Sequence, residues 1–104
     1  MVAKEVTRYE LAEELNITED EVIELLQGLR DEEMNGMTID NFENWKDGSG
    51  ISFVMTHKGE GYEIEYAVAY RNIKTNLDTD EELEEMKRYM ENEADMNEEI
   101  VLVK

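Results

Sequence analysis

Apolar residues recur at three- and four-residue intervals in the first third of the chain, alternate with polar ones in the middle, and return to helical spacing near the end. Leu11, Ala12 and Leu15 make the inner face of a first helix over about Arg8–Leu15, and Asn16 suits the left-handed residue that ends it. Val22, Leu25, Leu26 and Leu29 form one narrow stripe on a second helix over about Glu19–Glu33, which Asn35-Gly36 stops. Only two or three residues separate the two helices, so they meet at a sharp angle. Thr-x-x-Glu pairs at Thr7/Glu10, Thr18/Glu21 and Thr79/Glu82 mark three helix starts. In each, the threonine oxygen accepts from an orphan amide while the glutamate reaches back to the cap amide. Val6 with Leu11 and Ile17 with Val22 add apolar staples to the first two.

From Met37 the period changes. Met37–Trp45 reads as a weak strand and Lys46-Asp47-Gly48-Ser49-Gly50 as a turn. Ile51–His57 is a clearer strand with Ile51, Phe53 and Met55 on one face, and Lys58-Gly59-Glu60-Gly61 supplies a hairpin loop. Tyr62–Ile73 is the best-marked strand: Tyr62, Ile64, Tyr66, Val68 and Tyr70 alternate with Glu63, Glu65, Ala67, Ala69 and Arg71. Its length predicts a central position, and the two alanines leave room for something to pack closely on its second face. A third helix is expected over Asp80–Met96, with Leu83, Met86, Met90 and Ala94 as its buried stripe. The apolar tail Ile100–Val103 has two readings: an edge strand of the same sheet, or a strand that pairs with a second copy and makes a homodimer.

The expectation is therefore an α+β fold in a single domain, 1–104. An N-terminal helix-turn-helix pair (1–36) precedes a three-stranded antiparallel sheet (37–77), then an acidic helix and a short final strand (78–104). No proline and no linker divides the chain.

Charge changes this picture most. The net charge is −18, and self-repulsion of that order weakens a compact state. Residues 1–36 carry 11 acids against 3 bases, residues 37–77 carry 6 against 4, and residues 78–104 again 11 against 3. Negative charge thus flanks a nearly neutral middle, which favours localised binding faces over a uniform coat. The absence of cysteine removes disulfides, thiolate metal sites and a cysteine nucleophile. With no apolar run of spanning length and no signal-like N-terminus, a soluble, cytoplasmic protein is expected.

Residues 9–29 resemble the helix-turn-helix superfamily: Ala12 falls at the small position of the first helix, Ile17 just after the turn, and Val22 and Leu25 at core positions of the second. Asn16 replaces the usual turn glycine and still reaches the left-handed region. The hairpin Ile51–Tyr70 resembles the wing of a winged helix, extending the likeness loosely to residue 70. The resemblance implies a DNA reader, but the outward face departs from one. Stepping 100° per residue puts Asp20, Glu24, Gln27 and Asp31 on the outermost line of the second helix, where a DNA reader carries Arg, Lys, Asn or Gln. Two unit charges at about 7 Å repel by roughly 0.6 kcal/mol even in water. Several such terms outweigh one glutamine contact, and without cations there is no counterion release. Direct DNA binding through this helix is disfavoured. The third helix repeats the theme with Glu81, Glu84, Glu85 and Asp95 opposite its apolar stripe.

Chemistry has little to build on. His57 closes a strand without a partner that spacing reveals, Ser49 lacks the flanks of a nucleophile elbow, and Gly59-Glu60-Gly61 is too short for a phosphate loop. Asp78 and Asp80 lack the rest of an EF-hand and suit a helix N-terminus better. No catalytic residue, metal site or cofactor is expected, and the chain does not read as an enzyme.

The favoured expectation is an interaction protein, a stoichiometric inhibitor or adaptor that offers Asp20, Glu24, Gln27, Asp31, Glu81, Glu84, Glu85 and Asp95 to the basic surface of a nucleic-acid-binding partner such as a host enzyme or nuclease. In size and charge it resembles the small acidic anti-CRISPR, anti-restriction and host-takeover proteins of bacterial viruses, which implies a DNA-mimic role in a host cytoplasm. Trp45, Tyr9 and Tyr89 are candidate apolar anchors. A winged-helix regulator using Lys58, Arg71 and Lys74 on DNA is one alternative. A protein–protein module of a larger assembly, its charge serving only solvation, is the other.

Overall fold

The capping boxes act where the spacing puts them. In the computed structural model, which describes residues 2–48, 50–92 and 95–104, the Thr7 and Thr18 hydroxyls each accept from the amide three residues on while Glu10 and Glu21 accept from the cap amides. They start α1 (Arg8–Leu15) and α2 (Glu19–Asn35). Asn16 ends α1 in the left-handed region at φ 57°, so the turn closes without glycine. Thr79 also starts its helix, but the Glu82 carboxylate accepts from the Asp78 amide rather than from the cap amide.

The remaining elements are β1 (Ala3–Val6), α3 (Ile39–Trp45), β2 (Lys46–Asp47), β3 (Gly50–Gly59), β4 (Tyr62–Arg71), α4 (Asp80–Asn92) and β5 (Asp95–Val103). The fold is α+β, and among the described residues its sheet is antiparallel with the order β1-β5-β4-β3-β2. It has five strands where a three-stranded sheet and a short final strand were expected. β4 takes the central place that its pattern predicted.

Four expectations are corrected. Met37–Trp45 holds a helix instead of a weak strand: Thr38 accepts from the Asn41 amide, and Ile39, Phe42 and Trp45 follow at a three-residue interval with Phe42 fully buried. The missed cue was a cap followed by asparagine where a glutamate was sought. β1 escaped notice because Val6 alone of its residues is buried. The third helix ends at Asn92, and Asp95 and Met96 belong to β5. Acid-rich Asn97-Glu98-Glu99 hid a strand that runs nine residues. Finally, Ile100–Val103 joins the sheet but not at its edge, because β1 pairs with one side of it and β4 with the other. Ala94, expected in the buried stripe of the third helix, and Ser49 lie outside the described residues.

Register decides what each side chain faces. Met55 opposes Tyr66, which opposes Ile100, so the buried residues of β3, β4 and β5 share one face. The helices pack there: Leu11, Val22, Leu26, Phe42, Leu83, Met86 and Met90 join the sheet residues in one core. Gly50 is required at the start of β3, since an added Cβ would lie 2.2 Å from the Tyr70 carbonyl oxygen. The opposite face, with Val54 62% exposed, is open. β4 is paired with β3 over residues 62–70 and with β5 over residues 63–71. The β3–β4 hairpin thus lies inside the sheet, between β5 and β2.

Candidate functional site

The site begins with where α2 spends its one cation. α2 carries Glu19, Asp20, Glu21, Glu24, Asp31, Glu32 and Glu33 against Arg30 alone. The apolar stripe fixes its rotation: Val22 and Leu26 are buried, which turns Asp20, Glu24 and Gln27 out to solvent and leaves Asp31 half-buried. Arg30 does not neutralise this face. It turns towards the sheet, where its Nη1 donates to the Tyr70 hydroxyl at 3.4 Å and meets the Met96 sulfur at 3.1 Å. Its Nε is buried with no protein partner. None of the ion pairs among the described residues uses a carboxylate of α2.

The α4 face differs. Glu81 and Glu85 are exposed and unpaired among the described residues, while Glu84 accepts from Lys87 at 3.4 Å and Glu82 is tied to Lys74. Asp95, expected on this face, opens β5 instead, and its side chain lies outside the described residues. Asp20, Glu24 and Gln27 thus lie on the outside of α2 with Asp31 half-buried beside them, and Glu81, Glu84 and Glu85 lie on the outside of α4. Burial raises the pKa of the Tyr70 hydroxyl; the neighbouring Arg30 opposes that shift, and Glu91 and Asp31 add to it. Of the proposed anchors, Tyr9 is 60% and Tyr89 36% exposed, whereas Trp45 packs against Phe53 with ring centroids 5.7 Å apart.

One cluster was not anticipated. Register puts Glu98 on the helix-facing side of β5, opposite Val68. Its carboxylate accepts from Arg8 Nε and Nη2, each at 2.7 Å, and from the Tyr66 hydroxyl at 2.8 Å. The Arg8 bonds hold the Glu98 carboxyl below the usual glutamate range, and Glu98 in turn raises the pKa of Arg8. Burial, then the bond to Glu98, pushes Tyr66 up to about 12. This cluster ties the first turn of α1 to the two central strands. Its signal lay in the sequence as a glutamate alternating with Met96 and Ile100, invisible while residue 96 was assigned to a helix. A second cluster, Lys4 and Lys104 on Glu14, clamps β1 and the end of β5 to α1.

Among the described residues no group of three or more His, Asp or Glu is arranged to hold a metal ion, and no helix is long and apolar enough to cross a membrane. No protein-family model matches the chain, and no curated protein or solved structure is significantly similar to it.

Proposed function

We propose that this is a small acidic interaction protein, a stoichiometric inhibitor or adaptor that presents the anionic faces of α2 and α4 to a basic, nucleic-acid-binding surface of a partner. One observation carries the reading: the α2 carboxylates stand without an ion pair among the described residues while the helix's only cation is turned into the sheet. A helix shaped for stability alone places Lys or Arg in its last turn, against the negative end of the dipole. α2 has no base in its last turn, and Asp31, Glu32 and Glu33 lie near that end. This charge costs stability, and complementary charge on a partner would offset that cost in the complex. A viral protein that occupies the DNA- or RNA-binding groove of a host nuclease, in the host cytoplasm, is the form that its size and charge suggest.

The DNA-binding alternative has less to stand on. Lys58 opposes Glu63 and Arg71 ends the same strand, which puts the two cations about 27 Å apart along β4 at 3.4 Å per residue. Lys74 is held by Glu82. These three do not form a patch.

The test is capture from a host lysate at low salt, elution at high salt, identification of the partner, and association kinetics with the purified pair. Asp20→Lys, Glu24→Lys and Asp31→Lys together are expected to slow association by about tenfold or more at low ionic strength, with a smaller change in dissociation. Association rates unchanged by the triple substitution at low salt overturn the reading.

A further inference from the structure

We propose that the open face of the sheet, on the far side from the helices, docks a cationic amphipathic helix of a partner protein. A solvated strand face ordinarily carries β-branched or long polar side chains, and alanine is depleted in strands. Ala67 and Ala69 nevertheless occupy the middle of this face on the central strand, and Val54, directly opposite Ala67 on β3, is 62% exposed. Because β4 contributes only methyl groups, the flanking strands stand above it. Ser52 and Val54 form one wall and Asn97 and Glu99 the other, enclosing a trough of about 390 Å³. The walls are two strand spacings apart, about 9.6 Å between strand axes, so the trough takes the small side chains along one stripe of a helix of roughly 10–12 Å diameter that lies over it.

Charge selects the occupant. Glu5, Glu63, Glu65 and Glu99 share this face, and none of them joins an ion pair among the described residues. Lys58 and Arg71 are its cations, one at each end of β4. A second copy would set these carboxylates against their own kind in a chain of net charge −18, at a cost that grows with every close pair. The acids lie to one side of the trough: Glu99 on the β5 wall, Glu5 beyond it on β1, and Glu65 and Glu63 along β4 past Ala67, while the β3 wall carries none. A helix with small apolar residues along one stripe and Lys or Arg on the flank over β5 meets the alanine floor and these carboxylates together. The sheet separates this surface from the outward line of α2, so the proposal stands independently of the reading given to the helices.

The test is a titration of the ¹⁵N-labelled full chain with a Lys/Leu/Ala peptide designed as an amphipathic helix, and with its shuffled isomer of identical charge. The expected result is that amide shifts centre on residues 52–54, 67–69 and 97–99, and that the amphipathic peptide binds about tenfold more tightly than the shuffled one. Ala67→Gln with Ala69→Gln weakens binding by about the same factor. Val54→Lys, at a side chain too exposed to be structural, does likewise if the alanine variant fails to fold. Asp20→Lys with Glu24→Lys leaves this binding in place. Shifts confined to α2 or α4, equal binding of the shuffled peptide, or shifts at Val54 and Ala67 on concentrating the protein alone each overturn the proposal; the last makes a second copy the occupant.

Discussion

Glu98→Ala tests whether the carboxylate on β5 holds the helical layer to the sheet. In the native chain it accepts from two Arg8 nitrogens and from the Tyr66 hydroxyl, and its side chain is 25% exposed against 31% for Arg8. Removing one partner of a fully buried pair costs about 3–5 kcal/mol, whereas an exposed pair is worth about 1 kcal/mol or less. Exposure of a quarter to a third places this pair between those limits, at about 2 kcal/mol. Glu98→Gln keeps an acceptor for Tyr66 and loses only the charge, so about 1 kcal/mol is expected. With a urea slope of roughly 1.5 kcal/mol per molar for a chain of this size, the midpoint falls by about 1.3 M for alanine and about half that for glutamine.

The pH dependence gives a second check. The folded-state pKa of Glu98 lies below its unfolded value, mainly because of Arg8. Its contribution is therefore complete above the unfolded value of about 4.3 and is lost as pH falls through the folded value. The gap between the native chain and Glu98→Gln should be widest near neutrality and close on the acid side. A gap that keeps its size into that range, or no gap at neutral pH, refutes the electrostatic account.

Three further outcomes follow from the same structure. Tyr66, with its pKa pushed up to about 12, ionises first in the unfolded chain, so stability falls as pH rises from about 10 towards 12; Tyr66→Phe should flatten that alkaline slope in urea titrations. Gly50→Ala drives a Cβ to 2.2 Å from the Tyr70 carbonyl oxygen, and a loss of about 2 kcal/mol or more is expected by thermal denaturation. Thr38→Ala removes the acceptor for the Asn41 amide at the start of α3 and should cost about 1 kcal/mol, while the same change at exposed Thr56, which caps nothing, should cost less.

What could be read from the sequence was whatever had local chemistry. Thr7, Thr18 and Thr79 declared their helices because a cap and its glutamate lie within four residues of each other. β4 declared itself because five inward residues alternate without a break. α3 was hidden because Thr38 is followed by Asn41, and three apolar residues in seven suit a short helix and a frayed strand equally well. β1 and most of β5 were hidden for a different reason. Neither carries a strong pattern of its own, and each is a strand by virtue of pairing with residues far away in the chain. The candidate site divides along the same line. The outward positions of α2 follow from its stripe, while the inward turn of Arg30 and the Arg8–Glu98–Tyr66 cluster need the register of β5, whose first two residues fall within the helix that the sequence predicts.

The position of β1 has a consequence for exchange between copies. Ala3 pairs with Val103, a hundred positions away, so the strand finds its place only after the rest of the sheet has assembled. Four residues and one buried side chain hold it there, helped by the two lysines on Glu14. It is the latch of the sheet, and when it lifts it bares the edge of Ile100–Val103, which an identical β1 from another molecule fits equally well. Were the latch to close on a neighbour, the result would be a strand-swapped pair whose sheets have the same order as the monomer's, a species that size-exclusion chromatography at rising concentration would reveal. In the monomer, the amides bonded between β1 and β5 should be the first of the sheet to exchange with solvent.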